Sequence, residues 1–254
     1  MSKNKLQKFA EMESFRNVFQ CAAADLGTSR DATGMCGHWS ERCFKNQHPI
    51  VLELGCGRGE YTVALARMFP DRNFIGVDIK GARMYHGART ALEEGLENVA
   101  FLRTNIEFID RFFAPDEVDE IWITFPDPQM KKVTKRLVGT TFLQRYQRFL
   151  RDEGLIHLKT DSPFLYAYTE AMLQANSYRV EVQTDDLYRT LQQDPILSIQ
   201  TYYEQQWLSR GLTIKYVRFA LAHRDHFVEP QVDIERDTYR SYGRGHVRSD
   251  QETA

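Results

Sequence analysis

The chain has 254 residues, room for one large α/β domain or two small ones, and its 42% apolar and 27% charged residues allow a buried core. Lys and Arg total 33 against 35 Asp and Glu; the formal net charge of −2 excludes a globally basic nucleic-acid binder but not a local basic patch. No uncharged stretch approaches the ~18 residues of a membrane span, and the opening MSKNKLQKFAEMESF has no apolar signal segment, which points to the cytoplasm.

In chain order, Lys5–Phe19 has Phe9, Met12, Phe15 and Phe19 near one helical face, and the spacing predicts a short helix. Residues 27–37 are rich in breakers and read as loop. From Pro49 the pattern changes to alternation. Strands are expected at Ile50–Leu54, Asn73–Val77, Val99–Arg103, Glu120–Phe125 and Leu155–Lys159, and helices at Glu60–Met68, Gly81–Glu94, Thr141–Arg151 (with a stop at Gly154) and Ser162–Asn176. Tyr178–Gln183 and Ile214–Leu221 read as two further strands. The fold class expected is α/β, a mostly parallel seven-stranded sheet with helices on both faces. Residues 1–48 read as an N-terminal extension, 49–223 as the domain and 224–254 as a loosely held, mixed-charge tail.

The cysteines are Cys21, Cys36, Cys43 and Cys56, none in C-x-x-C spacing, and four reduced thiols are expected. Cys36, His38, Cys43 and His48 lie close in sequence but match no zinc spacing, so no metal is expected.

The first segment that carries chemistry is Glu53-Leu54-Gly55-Cys56-Gly57-Arg58-Gly59-Glu60, a strand entering a glycine turn and then a helix. Glycines there let the chain turn tightly and let a ligand approach the backbone. Asp78 follows at the end of the next strand, a spacing that suits an acceptor for ribose hydroxyls. Carboxylates flanking the loop would repel a pyrophosphate, whereas the ammonium of S-adenosylmethionine welcomes them. This favours S-adenosylmethionine over a dinucleotide.

Phe125-Pro126-Asp127-Pro128 closes the fourth strand, where open α/β sheets bind ligands. It is either a stiff, exposed carboxylate or a plain capped turn. From Lys131 to Arg151 there are seven basic residues and no acidic one, beginning Lys131-Lys132-Val133-Thr134-Lys135-Arg136. That run is either a solvated face or a phosphate-binding patch beside the site. Lys159-Thr160-Asp161 places another acid at the same sheet edge, or a helix cap before Ser162-Pro163.

Together these segments resemble the tRNA (guanine-N7)-methyltransferases of the class I, Rossmann-like, S-adenosylmethionine-dependent fold. The resemblance covers about residues 37–221. It implies a cofactor site made by Glu53, Gly55, Gly57, Gly59, Asp78, Asn105 and Asp127, with Asp127 also the catalytic carboxylate. It implies substrate contacts at Lys131, at Asp161, and at Thr201 and Glu204 of a Thr-x-x-Glu motif; by composition alone the last pair reads as a helix start. The chain departs from the family pattern after Asp127: Gln129 and Met130 replace Trp-Pro, and the segment is about two residues shorter, without a His and one Arg. The implied activity is methyl transfer to N7 of guanine 46 in the tRNA variable loop. The alternatives are a methyltransferase acting at another RNA base position or on a small molecule, and a non-catalytic RNA-binding subunit of the same fold.

Overall fold

The computed structural model describes residues 5–21, 33–191 and 194–238. Its frame is one eight-stranded sheet, and its central strand explains the rest. In β2 (Ile50–Leu54) all five residues are buried, as a strand covered on both faces requires. Alternate residues feed two cores: Leu52 and Leu54 face one and Val51 the other. β3 (Asn73–Asp78) and β4 (Val99–Arg103) extend the sheet on one side of β2, and β5 (Val118–Thr124) and β6 (Leu150–Thr160) on the other. All of these pairings are parallel. β8 (Lys215–Leu221) inserts antiparallel between β6 and β7 (Val180–Thr184), making the sheet mixed at that end. After the N-terminal α1 (Lys5–Met12), the helices α2 (Glu60–Met68), α3 (Gly81–Glu93), α4 (Thr140–Tyr146) and α5 (Pro163–Ala175) cross over between strands, and the short α6 (Leu187–Thr190) follows β7.

Several features differ from the sequence expectations. The N-terminal helix, α1, ends at Met12, and β1 (Val18–Gln20) pairs parallel with β4, so the seven expected strands are eight and part of the extension belongs to the sheet. Trp39 is likewise fully buried and donates its indole N–H to the Phe112 carbonyl at 2.8 Å. The Gly27–Gly37 loop falls largely outside the described residues.

The helix expected to run to Arg151 stops at Tyr146. Strand β6 begins at Leu150 and absorbs the charged Arg151-Asp152-Glu153-Gly154 as an irregularity opposite Val118–Glu120. Gly154 is thus a strand residue, not a stop; a Cβ there would lie 2.6 Å from Leu150 Cγ. The tail does not hang loose through residue 238: Phe227 and Ile234 pack on the core and Asp237 is buried. Residues 239–254 lie outside the described residues. Among the described residues no helix is long and apolar enough to cross a membrane.

Strand order reverses between β2 and β5, since the chain proceeds from β2 toward β3 and from β5 toward β6 on opposite sides. A crevice opens at such a switch point, outside the carboxyl ends of the strands. The glycine turn leaving β2 and the Pro-Asp-Pro turn leaving β5 meet there.

Candidate active site

The glycine turn has φ +82° at Gly55, +56° at Gly57 and +72° at Gly59. The three glycines do different jobs. A Cβ on Gly55 would meet nothing within 4 Å and one on Gly57 only the Gly55 carbonyl at 3.9 Å, so the space above them is open to a ligand. A Cβ on Gly59 would lie 2.6 Å from the Phe101 ring, so this glycine lets α2 pack on the sheet rather than admitting a ligand.

Two acids frame the turn. Asp78 accepts the Gly57 N–H at 2.9 Å and the Lys80 N–H at 2.8 Å, one on each oxygen. Glu53 is buried; it accepts the Thr62 N–H at 2.8 Å, the Thr62 hydroxyl, and the Thr124 hydroxyl at 2.7 Å. Burial pushes its carboxyl up to about 7 despite these three donors, with the charge of Asp78 adding to the rise. Burial also raises the Cys56 thiol well above its ordinary range, so this cysteine in the turn is an inert packing residue. None of the four cysteines is in a disulfide, and among the described residues no three His, Cys, Asp or Glu side chains gather as metal ligands.

The opposite wall comes from far along the chain. In α7 (Tyr202–Leu208), Thr201 caps Glu204 N–H at 3.2 Å and the Glu204 carboxylate reaches back to Thr201 N–H at 3.4 Å, a reciprocal capping box. Glu204 is fully buried and paired with the equally buried Lys159 at 3.0 Å. Lys159 also donates to the carbonyls of Leu197 at 3.1 Å and Ile199 at 3.0 Å. From the end of β6 it therefore ties the segment before α7 to the sheet. The Tyr202 N–H donates to Glu60 at 2.9 Å, closing this wall onto the turn.

The Phe125–Gln129 turn is strained at both ends, with φ +50° at Phe125 and +48° at Gln129, neither of them glycine. It is held by Phe125 N–H to the Lys159 carbonyl at 2.9 Å and by Gln129 N–H to Asp127 at 3.0 Å. Arg136 completes the clamp. Its guanidinium donates to the Gln129 and Met130 carbonyls, both at 3.3 Å, and lies 4.2 Å from the Tyr168 ring centre. Asp127 itself is exposed at the apex.

Three cavities converge on Asp127. One, of about 290 Å³, is lined by Glu53, Gly55, Gly57 and Asp78 on one side and Thr201 and Trp207 on the other. A second, of about 410 Å³, joins Asp78 to Asn105, whose side chain caps the short helical turn at residues 106–111. A third, of about 630 Å³, contains Lys131, Lys132, Gln129, Met130 and Arg236.

The structure thus gathers Glu53, Gly55, Gly57, Asp78, Asn105, Asp127, Lys131 and Thr201 around one crevice. It separates the other three expected residues from it. Gly59 is a packing glycine. Glu204 is spent on Lys159 and on the Tyr188 hydroxyl at 2.5 Å, so its carboxylate supports the wall from behind and is not presented to a substrate. Asp161 is fully buried and lines none of the three cavities, while Ser162 caps α5. The basic run also divides. Arg136 is buried in the turn clamp and Lys135 pairs with Glu107. Arg145 and Arg148 face Asp110, and Arg151 faces Asp119. Lys131 and Lys132 are exposed with no acidic partner among the described residues. Sequence reasoning misses Lys159, which braces the wall from behind, and Trp207 and Arg236, which line the cavities: no local pattern marks these roles, because each depends on tertiary packing.

The open glycine backbone, the acid at the end of β3 and the switch-point crevice fit an adenosyl donor without phosphates, and they define a class I S-adenosylmethionine-dependent methyltransferase. The fold agrees with solved methyltransferases: a 16S rRNA methyltransferase, KamB, at TM-score 0.55 and 15% identity covers 72% of this chain and 92% of that one. An antibiotic-related methyltransferase matches at TM-score 0.53 and 16% identity, over 71% of this chain and 90% of that one. Residues 47–217 match the model of a family described as a putative methyltransferase. The chain belongs to the tRNA (guanine-N7)-methyltransferase family: it is 59% identical over 244 residues to the member from Bacteroides thetaiotaomicron, covering 96% of each chain. It is 59% identical to the Porphyromonas gingivalis member over 92% of this chain and 96% of the other. The Cytophaga hutchinsonii member is 40% identical, over 86% and 98% respectively.

Proposed function

We propose that the chain methylates N7 of guanine 46 in the variable loop of tRNA, in the cytoplasm, with S-adenosylmethionine as donor. The observation that carries this reading is the convergence of the three cavities on the exposed carboxylate of Asp127.

When bound, S-adenosylmethionine supplies an electrophilic methyl group on a sulfonium centre. Gly55 and Gly57 let that donor lie against the backbone. Asp78, held in place by two backbone N–H groups, would accept from the ribose hydroxyls. Glu53 would lie toward the amino-acid ammonium, whose charge would favour the ionised carboxylate that burial alone disfavours, and Asn105 would mark the base end of the crevice. Guanine N7 attacks with its lone pair and has no proton to lose, so no general base is required; the chain must align the groups and exclude water. The purine gains positive charge as the N7–methyl bond forms and the methyl–sulfur bond breaks, its electron pair staying with sulfur as a neutral thioether. Asp127, fixed by a strained turn, would stabilise that charge.

One substrate and one variant separate this reading from its rivals. A tRNA with 7-deazaguanine at the target should bind and accept no methyl, because a C–H replaces the lone pair; methylation of that tRNA would remove the N7 assignment. Asp127→Asn should slow single-turnover transfer by about 10²–10³ while cofactor affinity stays within a few-fold. A rate near wild type would reduce Asp127 to a turn residue.

A further inference from the structure

The segment after β8 lies outside the residues that match the family model, yet it is built into the molecule. It runs as a strap along α5. At the helix's C-terminal end Asn176 imitates a backbone pairing: its side chain donates to the Val228 carbonyl and accepts the Val228 N–H, both at 2.8 Å. Glu229 then accepts the Thr140 hydroxyl at 2.6 Å and the Tyr168 hydroxyl at 2.8 Å. At the other end Asp237, buried, accepts the Ser162 hydroxyl at 2.5 Å and the Phe164 N–H at 3.0 Å. A helix of 13 residues is about 20 Å long, within reach of the chain between residues 228 and 237 when extended. The anchor at Asp237 fixes its neighbour. Arg236 is exposed, has no acidic partner among the described residues, and lines the same cavity as Asp127, Lys131 and Lys132.

We infer that this strap is part of the RNA site and that Arg236 contacts a tRNA phosphate beside the target base. The cavity's exposed charges are three cations, Lys131, Lys132 and Arg236, against Asp127 alone, since Asp237 is turned into the helix cap. A nucleotide entering with its base toward Asp127 brings a phosphate, and the cations at the rim are the groups that receive it. Asp237 acts as a positioning residue: it binds α5, not RNA. The inference rests on the proposed tRNA substrate.

The test uses the full-length chain with transcribed tRNA. Arg236→Ala should raise KM for tRNA about tenfold, keep kcat within twofold and leave S-adenosylmethionine affinity unchanged. Its tRNA-binding slope against log salt should flatten by about 0.7–0.9, one phosphate contact, and Arg236→Lys should restore the slope. Asp237→Ala, checked for folding by circular dichroism, should reproduce the Arg236→Ala shift, and the double variant should go no further. A wild-type slope and KM in Arg236→Glu would overturn the inference. So would a fall in kcat with the slope intact, which would mean that Arg236 neutralises Asp127 instead. Wild-type protein that transfers no methyl to tRNA would overturn the functional reading, whereas the binding slope tests Arg236 without turnover.

Discussion

The two sides of the crevice are made differently. The cofactor side is mostly local: one strand, one turn, one helix and the next strand, with Asp78 held by N–H donors from that stretch and Glu53 by Thr62 within it and by the more distant Thr124 hydroxyl at the end of β5. Its open face is backbone, so few side chains have to be placed. The RNA side is assembled from distant pieces. The strained Phe125–Gln129 turn is held by Arg136, and the cavity beside it is finished by Arg236 from the strap. A small, invariant ligand is met by short-range geometry. A large, flexible one is met by side chains gathered over the whole chain, and such a surface can be altered one residue at a time.

The largest effect should come where the cofactor side does depend on long range. Lys159 and Glu204 are both fully buried, and together they hold the α7 wall. Removing one partner of a buried pair leaves the other charge stranded, at about 3–5 kcal/mol. Lys159→Met should lose stability of that order in urea unfolding and weaken cofactor binding by calorimetry. Adding Glu204→Gln should recover part of the loss. A Lys159→Met variant within about 1 kcal/mol of wild type would show the wall to be self-supporting.

The next effect concerns Glu53. Its carboxyl is raised from 4.5 to about 7, first by burial. Between those values the folded chain binds a proton that the unfolded chain has released. The stabilisation is therefore fully present below about 4.5 and is lost as pH rises through about 7. The change across that window is on the order of 3 kcal/mol. Glu53→Gln should abolish it, seen as the difference between the two proteins' urea midpoints against pH. Parallel pH curves would mean that Glu53 stays ionised, its three donors outweighing burial.

The same division explains what could be read without coordinates. β2 and α2 have the bounds that their apolar runs and glycine turn indicate, and Asp78 stands where an acid closing β3 should. Thr201 and Glu204 form the capping box their spacing suggests; what spacing could not show is that Lys159 consumes the carboxylate. β1 was hidden because three half-buried residues carry no periodic signal. The charged bulge in β6 has the composition of a helix end, and only pairing with β5 makes it strand. The strap's polar sequence looks like solvated tail because its docking relies on Asn176, Glu229 and Asp237, polar groups whose partners lie far away in the chain.

The smallest effect falls on the RNA side, within the basic run itself. A uniform patch would lose the same amount of salt dependence for each lysine removed. The structure instead distinguishes neighbours. Lys132 is exposed at the cavity rim without an acidic partner among the described residues, whereas Lys135 is already paired with Glu107. A cation that has to leave a carboxylate to meet a phosphate gains less, since the carboxylate competes and its own counterions must be recovered. Lys132→Ala should flatten the log–log salt slope of tRNA binding by about 0.7–0.9, and Lys135→Ala by clearly less. Arg136→Ala should leave the slope nearly unchanged but lower stability, because its guanidinium packs on Tyr168 and holds two turn carbonyls. Equal slopes for the Lys132 and Lys135 variants would mean that RNA reads the run as a diffuse positive field. The ordered division between clamp, pair and free cation would then have no consequence for binding.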